Sequence, residues 1–207
     1  MARPKTDHDQ RRTEIARAAC DVILELGLEN ARLSEIAMRA GVTTGAVQHY
    51  FRSKEHLLLY AKNDLFDQLY ERIRAASAEL KGVERLLAIA YVILPTNLEA
   101  IKAFRVLEAF RGRAIGNNSL LRIQHKRDRN SIAMIEAEIS GLARDGLLAD
   151  DVNPAREALA FSALLDGLGA TVIAAPKAFS AADLTAIVER FIERALGVAL
   201  PSKNTDG

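Results

Sequence analysis

Residues 32–51 read RLSEIAMRAGVTTGAVQHYF. Ile36, Ala37 and Ala40 share one face of a short helix beginning at Leu33, and Gly41 breaks it. Thr43 or Thr44 then caps a second short helix, in which Val47 and Phe51 fall on the side toward the first. Ala37 and Ala46 are small enough to let the two helices approach closely. Two short helices joined by a glycine-containing turn make a helix-turn-helix, whose second helix enters the major groove of DNA. The outward side of that helix keeps Thr44, Gln48 and His49, which suit base edges or phosphates. Arg52 and Lys54 follow where phosphate oxygens would lie, and Arg3, Lys5, Arg11 and Arg12 are placed to lean on the backbone or a minor groove. An ordinary helical hairpin within a bundle is the alternative, and it has no need of the HYF and SKE runs that follow.

Working outward, residues 1–10 form a polar arm, and Ile15, Ala19, Val22, Ile23 and Leu26 fall on one face of a helix from Thr13, stopped by Gly27. Ser53 caps the helix after the motif and puts Glu55 in its first turn, where negative charge is favoured. Further helices are expected at about 54–80, 83–94, 98–115, 119–145, 154–174 and 181–197. The breakers between them are Lys81-Gly82, Pro95, Gly116-Asn117-Asn118, Gly146 to Pro154, and Pro176. No segment alternates with period two. The expected architecture is all-α: a three-helix DNA-binding domain over 9–69, then a six-helix ligand-binding and dimerisation bundle over 70–200.

Composition agrees without deciding. Of 207 residues, 49 % are hydrophobic, enough for a sizeable core, while aromatics at 5 % favour helices over sheets. Net charge is +1, and the first 60 residues carry nine basic against eight acidic side chains, so any case for DNA rests on where charges sit. The single cysteine, Cys20, allows no internal disulfide and is expected to be structural. The polar start is no signal peptide and no uncharged run spans a bilayer, so a cytoplasmic protein without membrane contact is expected. Metal-ligand spacing, a Gly-rich phosphate loop and a nucleophile motif are all absent from the sequence, so no cofactor, metal or catalytic residue is expected.

Residues 13–57 resemble the DNA-binding domain of the TetR family of one-component repressors. The likeness is carried by Ile15, Ala18-Ala19, Gly27, Leu33, Ile36-Ala37, Ala40-Gly41-Val42, Gly45, His49-Tyr50-Phe51, Lys54-Glu55 and Leu57. Family members often carry Tyr where this chain has Gln48, a residue able to read adenine bidentately or to touch a phosphate. The resemblance implies operator binding through Arg32, Thr43, Thr44, Gly45, Gln48, His49, Tyr50 and Lys54. Tyr50 has a half-buried packing role as its alternative. The family also implies a helical ligand domain whose last two helices build a four-helix dimer interface.

On the helix at 154–174, Ala160, Ala163, Gly167, Ala170 and Ala174 form a small-residue ridge, while Phe161, Leu164, Leu165, Leu168 and Val172 line a second face. The last helix, at 181–197, offers Leu184, Ile187, Val188, Phe191, Ile192, Ala195 and Leu196, a stripe too wide for one neighbour. A homodimer through these two helices is expected, with a monomeric core as the alternative. The stretch LLDGLGATVIAAPKAFS (164–180) and the helix around Gln124 to Ile135 resemble the BetI-like branch, which includes choline-responsive repressors. Aromatic cages suit quaternary ammonium, yet the chain has no Trp. A small-molecule effector is expected among the middle helices, walled by Phe104, Leu107, Phe110, Met134 and Leu165, with His125, Asp128 or Asp166 as orienting polar groups. The alternative is structural: His125 and Asp128 pair with each other or with Arg105 or Arg111, and Asp166 is the buried partner of an arginine.

The sequence is therefore read as a homodimeric DNA-binding regulator, a repressor released from double-stranded operator DNA by a small molecule. An activator or effector-independent regulator is the second reading. A small all-α enzyme using His125 and Asp128 as an acid–base pair is the third.

Overall fold

A computed structural model describes residues 7–200. Among the described residues there are nine helices and no strand: α1 (Asp7–Leu26), α2 (Leu33–Arg39), α3 (Thr44–Tyr50), α4 (Lys54–Ser77), α5 (Gly82–Ile93), α6 (Leu98–Ala114), α7 (Asn118–Arg144), α8 (Pro154–Ala174) and α9 (Ala181–Leu196). The bounds follow the breakers closely except at α1, which begins in the stretch expected to be a polar arm. Asp7 and Asp9 sit in its first turn, where they meet the positive end of the helix dipole, and the Thr13 hydroxyl donates to the Asp9 carbonyl at 3.1 Å. Arg3 and Lys5 lie outside the described residues.

The chain divides into two compact units, residues 1–70 with 102–113, and residues 71–101 with 114–207. The first division falls at residue 70, and most of α6 clusters with the first unit. The first core gathers Ile15, Ala19 and Val22 of α1, Ile36 of α2, Val47 of α3, Phe51, and Leu57 of α4, joined by Val106 and Phe110 of α6. Arg12 turns into this unit rather than outward. Its guanidinium lies 5.2 Å from the Phe51 ring centroid and 4.4 Å from that of Tyr60. Arg11 is engaged too, bonded to Glu14 at 2.7 Å.

In the second unit Leu86 of α5, Ile135, Ile139 and Leu142 of α7, Phe161 and Leu165 of α8, and Val188 and Ile192 of α9 close a separate core. Phe161 stacks on Phe191 with centroids 5.1 Å apart. Arg85 forks onto Glu138 at 2.9 and 3.0 Å and also donates to the Ser77 carbonyl, tying α5 to α7 and to the end of α4. The Tyr91 hydroxyl donates to Glu189 at 2.6 Å, and burial together with that carboxylate holds the phenol well above its ordinary value. Ser180 and Asp183 form a reciprocal capping box that starts α9.

By length and composition alone, α8 is apolar enough to cross a membrane, although Asp166 interrupts its uncharged run. Its inner face, Phe161, Leu165 and Val172, is nevertheless packed in the second core.

Candidate nucleic-acid interface

The helix-turn-helix is held from inside. Val47 of α3 is fully buried in the same core as Ile36 and Ala37 of α2 and the Phe51 ring. Gly41 has a φ of +67°, a left-handed conformation that any side chain strains, and it lets the chain reverse between α2 and α3. The α3 N-cap is Thr43, whose Oγ1 accepts from the Ala46 N–H at 3.1 Å. Ser53 does the same for α4, accepting from the His56 N–H at 3.1 Å.

With Val47 pointing inward, Thr43, Thr44, Gly45, Gln48 and His49 are all exposed. The Thr43 hydroxyl uses a lone pair in its cap and keeps its proton to donate. Gly45 needs no glycine for the protein's own sake. Its φ is ordinary, and an added Cβ would meet only the Thr43 Oγ1, at 3.9 Å. Arg32, at the N-cap of α2, is exposed and makes no side-chain capping bond. Tyr50 is half-buried against the first core, with His49 edge-on at 5.4 Å and the His8 ring at 4.9 Å. Lys54 donates to the Glu29 carbonyl at 3.3 Å, which holds its ammonium beside the motif with further donors to spare. Arg113, at the end of α6, comes within 3.9 Å of both Glu29 and Glu55, a link across this unit that the sequence did not suggest.

The residues expected to wall an effector pocket are divided between the two units. Phe104, Leu107 and Phe110 belong to the first unit, and Phe110 is packed in its core. Leu165 is buried in the second core, Met134 is half-buried, and Asp166 is half-buried and already engaged. On α7 the inward polar residue is Gln124, not His125, which is exposed. Gln124 donates to Asp128 at 2.7 Å. His125 and Asp128 do share an open groove of about 470 Å³, together with Arg122, Lys126, Arg129 and Ile132. No cluster of His, Cys, Asp and Glu among the described residues could hold a metal ion.

The α8 ridge is exposed along its whole length, Ala160, Ala163, Gly167, Ala170 and Ala174, with Leu159 uncovered beside it. An added Cβ at Gly167 would meet nothing within 4 Å. The α9 stripe is narrower than expected, since Leu184, Val188, Ile192 and Leu196 are buried within the unit and only Ile187 among its large apolar residues is exposed.

Comparison with known proteins places these features. Residues 15–61 match the model of bacterial regulatory proteins of the tetR family, and residues 82–197 match that of the BetI-type transcriptional repressor C-terminal domain. The transcriptional regulator PksA of Bacillus subtilis is 33 % identical over 163 residues, covering 78 % of each chain. The crystal structure of a transcriptional regulator from Rhodococcus superposes with a TM-score of 0.80 at 28 % identity, covering 92 % of this chain and 99 % of that one. A regulator from Saccharomonospora viridis, solved in complex with choline, shares the fold with a TM-score of 0.83 at 23 % identity, covering 92 % and 99 %.

Proposed function

We propose, for a chain that belongs to the TetR family of DNA-binding transcriptional regulators, that it is a homodimeric repressor released from its operator by a small molecule. The observation that carries the reading is the exposed surface of α3: Thr44, Gly45 and Gln48 are open to solvent while Val47 is buried in the core. In this reading Thr44 and Gln48 meet base edges, Gly45 lets the DNA backbone approach, and Arg32, Thr43, His49, Tyr50 and Lys54 hold phosphates. The match to a BetI-type repressor domain supports repression. A regulator that acts on chromosomal operators works in the cytoplasm. The family match sets the enzyme reading aside.

Two half-sites one turn of DNA apart, about 34 Å, require two reading heads. The exposed α8 ridge and Ile187 supply the surface for a second copy. Both Gly167 and the alanines around it let a helix come close, and burying such a face is the main gain on association. Because α4 runs unbroken from Lys54 to Ser77, its first turns belong to the DNA-binding unit and its end to the other. A tilt of α4 in each protomer changes the spacing of the heads. An effector acts by binding the re-spaced form better, with a coupling of about 1–3 kcal/mol. Choline, bound by the Saccharomonospora relative, is a poor fit here, since the α7 groove is cationic and the chain has no Trp.

The test is fluorescence anisotropy with DNA from upstream of the chain's own gene. Specific binding that weakens steeply with salt and survives competition by scrambled DNA is expected. Equal affinity for both DNAs would falsify the operator reading.

A further inference from the structure

Along the first half of α7, Arg122, Lys126 and Arg129 recur at i, i+4 and i+7, with His125 beside them, and all four are exposed. Like charges at this spacing destabilise a helix by about 0.2–0.5 kcal/mol per pair. Several arginines elsewhere have carboxylate partners: Arg11 has Glu14, Arg39 has Glu25, Arg85 has Glu138 and Arg111 has Glu108. Among the described residues no carboxylate forms an ion pair with Arg122, Lys126 or Arg129, and Arg122 is held only by the Ser119 hydroxyl at 3.3 Å. The Asp128 carboxylate takes the Gln124 amide instead. With Asp128 also lining the groove, three cations face one carboxylate there, a concentrated positive site in a chain of net charge +1. It borders an open depression of about 470 Å³ lined by α7, to which Ile132 gives an apolar patch.

We infer that this groove binds a small organic anion, a carboxylate or phosphate whose short apolar body lies against Ile132. As the effector class of a ligand-released repressor, the assignment rests on the function proposed above. The guanidinium groups of Arg122 and Arg129 present paired donors to an oxyanion, Lys126 adds a point charge, and the Gln124–Asp128 pair supplies an acceptor for a hydroxyl or amide on the ligand.

The experiment uses the full-length protein at low salt. Hexanoate, phenyl phosphate, inorganic phosphate and tetramethylammonium are titrated by calorimetry into wild type and into the double variant Lys126→Gln/Arg129→Gln. The wild type binds at least one organic anion more tightly than inorganic phosphate, and tetramethylammonium not at all. Which organic anion binds separates a carboxylate site from a phosphate site. The double variant loses tenfold or more in affinity while melting no lower, since a like-charge pair has been removed. Failure of both organic anions to bind, or equal affinity in the two proteins, overturns the site. Operator binding is measured on the same samples without added anion. Unchanged operator affinity in the variant is expected. A loss there makes the groove a DNA contact and overturns the small-anion assignment. A wild type that binds no specific DNA defeats the repressor reading alone, and the calorimetry still decides the groove.

Discussion

The Arg12 guanidinium lies over the Tyr60 ring, 4.4 Å from its centroid, and within 5.2 Å of the Phe51 ring, so α1 is tied to α4 and to the end of the recognition helix by a cation between two aromatics. A basic residue near the N-terminus of such a motif invites assignment to a phosphate, and this one is spoken for. Arg12→Ala should cost about 0.5–2 kcal/mol of stability. The slope of operator affinity against salt should not change. A slope lower by about one charge at unaltered stability would return Arg12 to the DNA.

Gly45 separates the needs of the fold from those of the partner. It occupies an exposed helical position with room for a Cβ, so Gly45→Ala should stabilise the protein by about 0.5–1 kcal/mol in denaturant titrations. The same change should weaken operator binding by placing a methyl group where the backbone of DNA approaches. A variant that is both more stable and fully active would remove Gly45 from the interface.

Gln48 and Lys54 should fail in different ways. Gln48→Ala should cost about 1–3 kcal/mol against the preferred operator and relax the choice of base at one position. Lys54→Ala should lower affinity for all sequences alike and reduce the salt slope by about one. Binding-site selection on randomised DNA reads the first effect and salt titration the second. An exchange of these outcomes would reverse the two roles.

Gly167→Arg tests the second copy without harming the protomer. Because an added Cβ there meets no atom within 4 Å, helicity should be unaltered, while light scattering should show monomers where the wild type is a dimer at micromolar concentration. A dimer that persists in the variant moves the interface away from α8.

Cys20 should be inert. Burial first, then the charges of Asp21 and Asp64, push its thiol up to about 12. The native thiol therefore stays protonated from 9.0 to about 12, where an unfolded thiol ionises, and stability falls as pH rises through that window. At pH about 8 a disulfide reagent should label the native protein far more slowly than the unfolded one. Equal labelling rates would show the thiol to be open.

The sequence by itself determined the helices among the described residues, nearly all their ends, and which side of α3 is exposed. Those properties are local: Pro154, Gly41, Gly27 and the caps at Thr43 and Ser53 act within one turn, and Val47 fixes which side of α3 faces out. Its one local failure was the start of α1, where polar residues carry no apolar period to read. Tertiary structure alone decided the middle of the chain. His125 stands seven and fourteen residues before Ile132 and Ile139, so a strict seven-residue register would carry it inward, whereas a straight helix drifts about 20° per heptad, and Gln124 takes the buried place. Phe110 looked like a pocket wall because an apolar stripe shows that a face is buried but not against what, and α6 gives that face to the DNA-binding core. The same limit hid the cationic groove and the reach of Arg113 to Glu29 and Glu55. Each depends on which residues, far apart in sequence, the packing brings within a few ångströms or leaves uncovered.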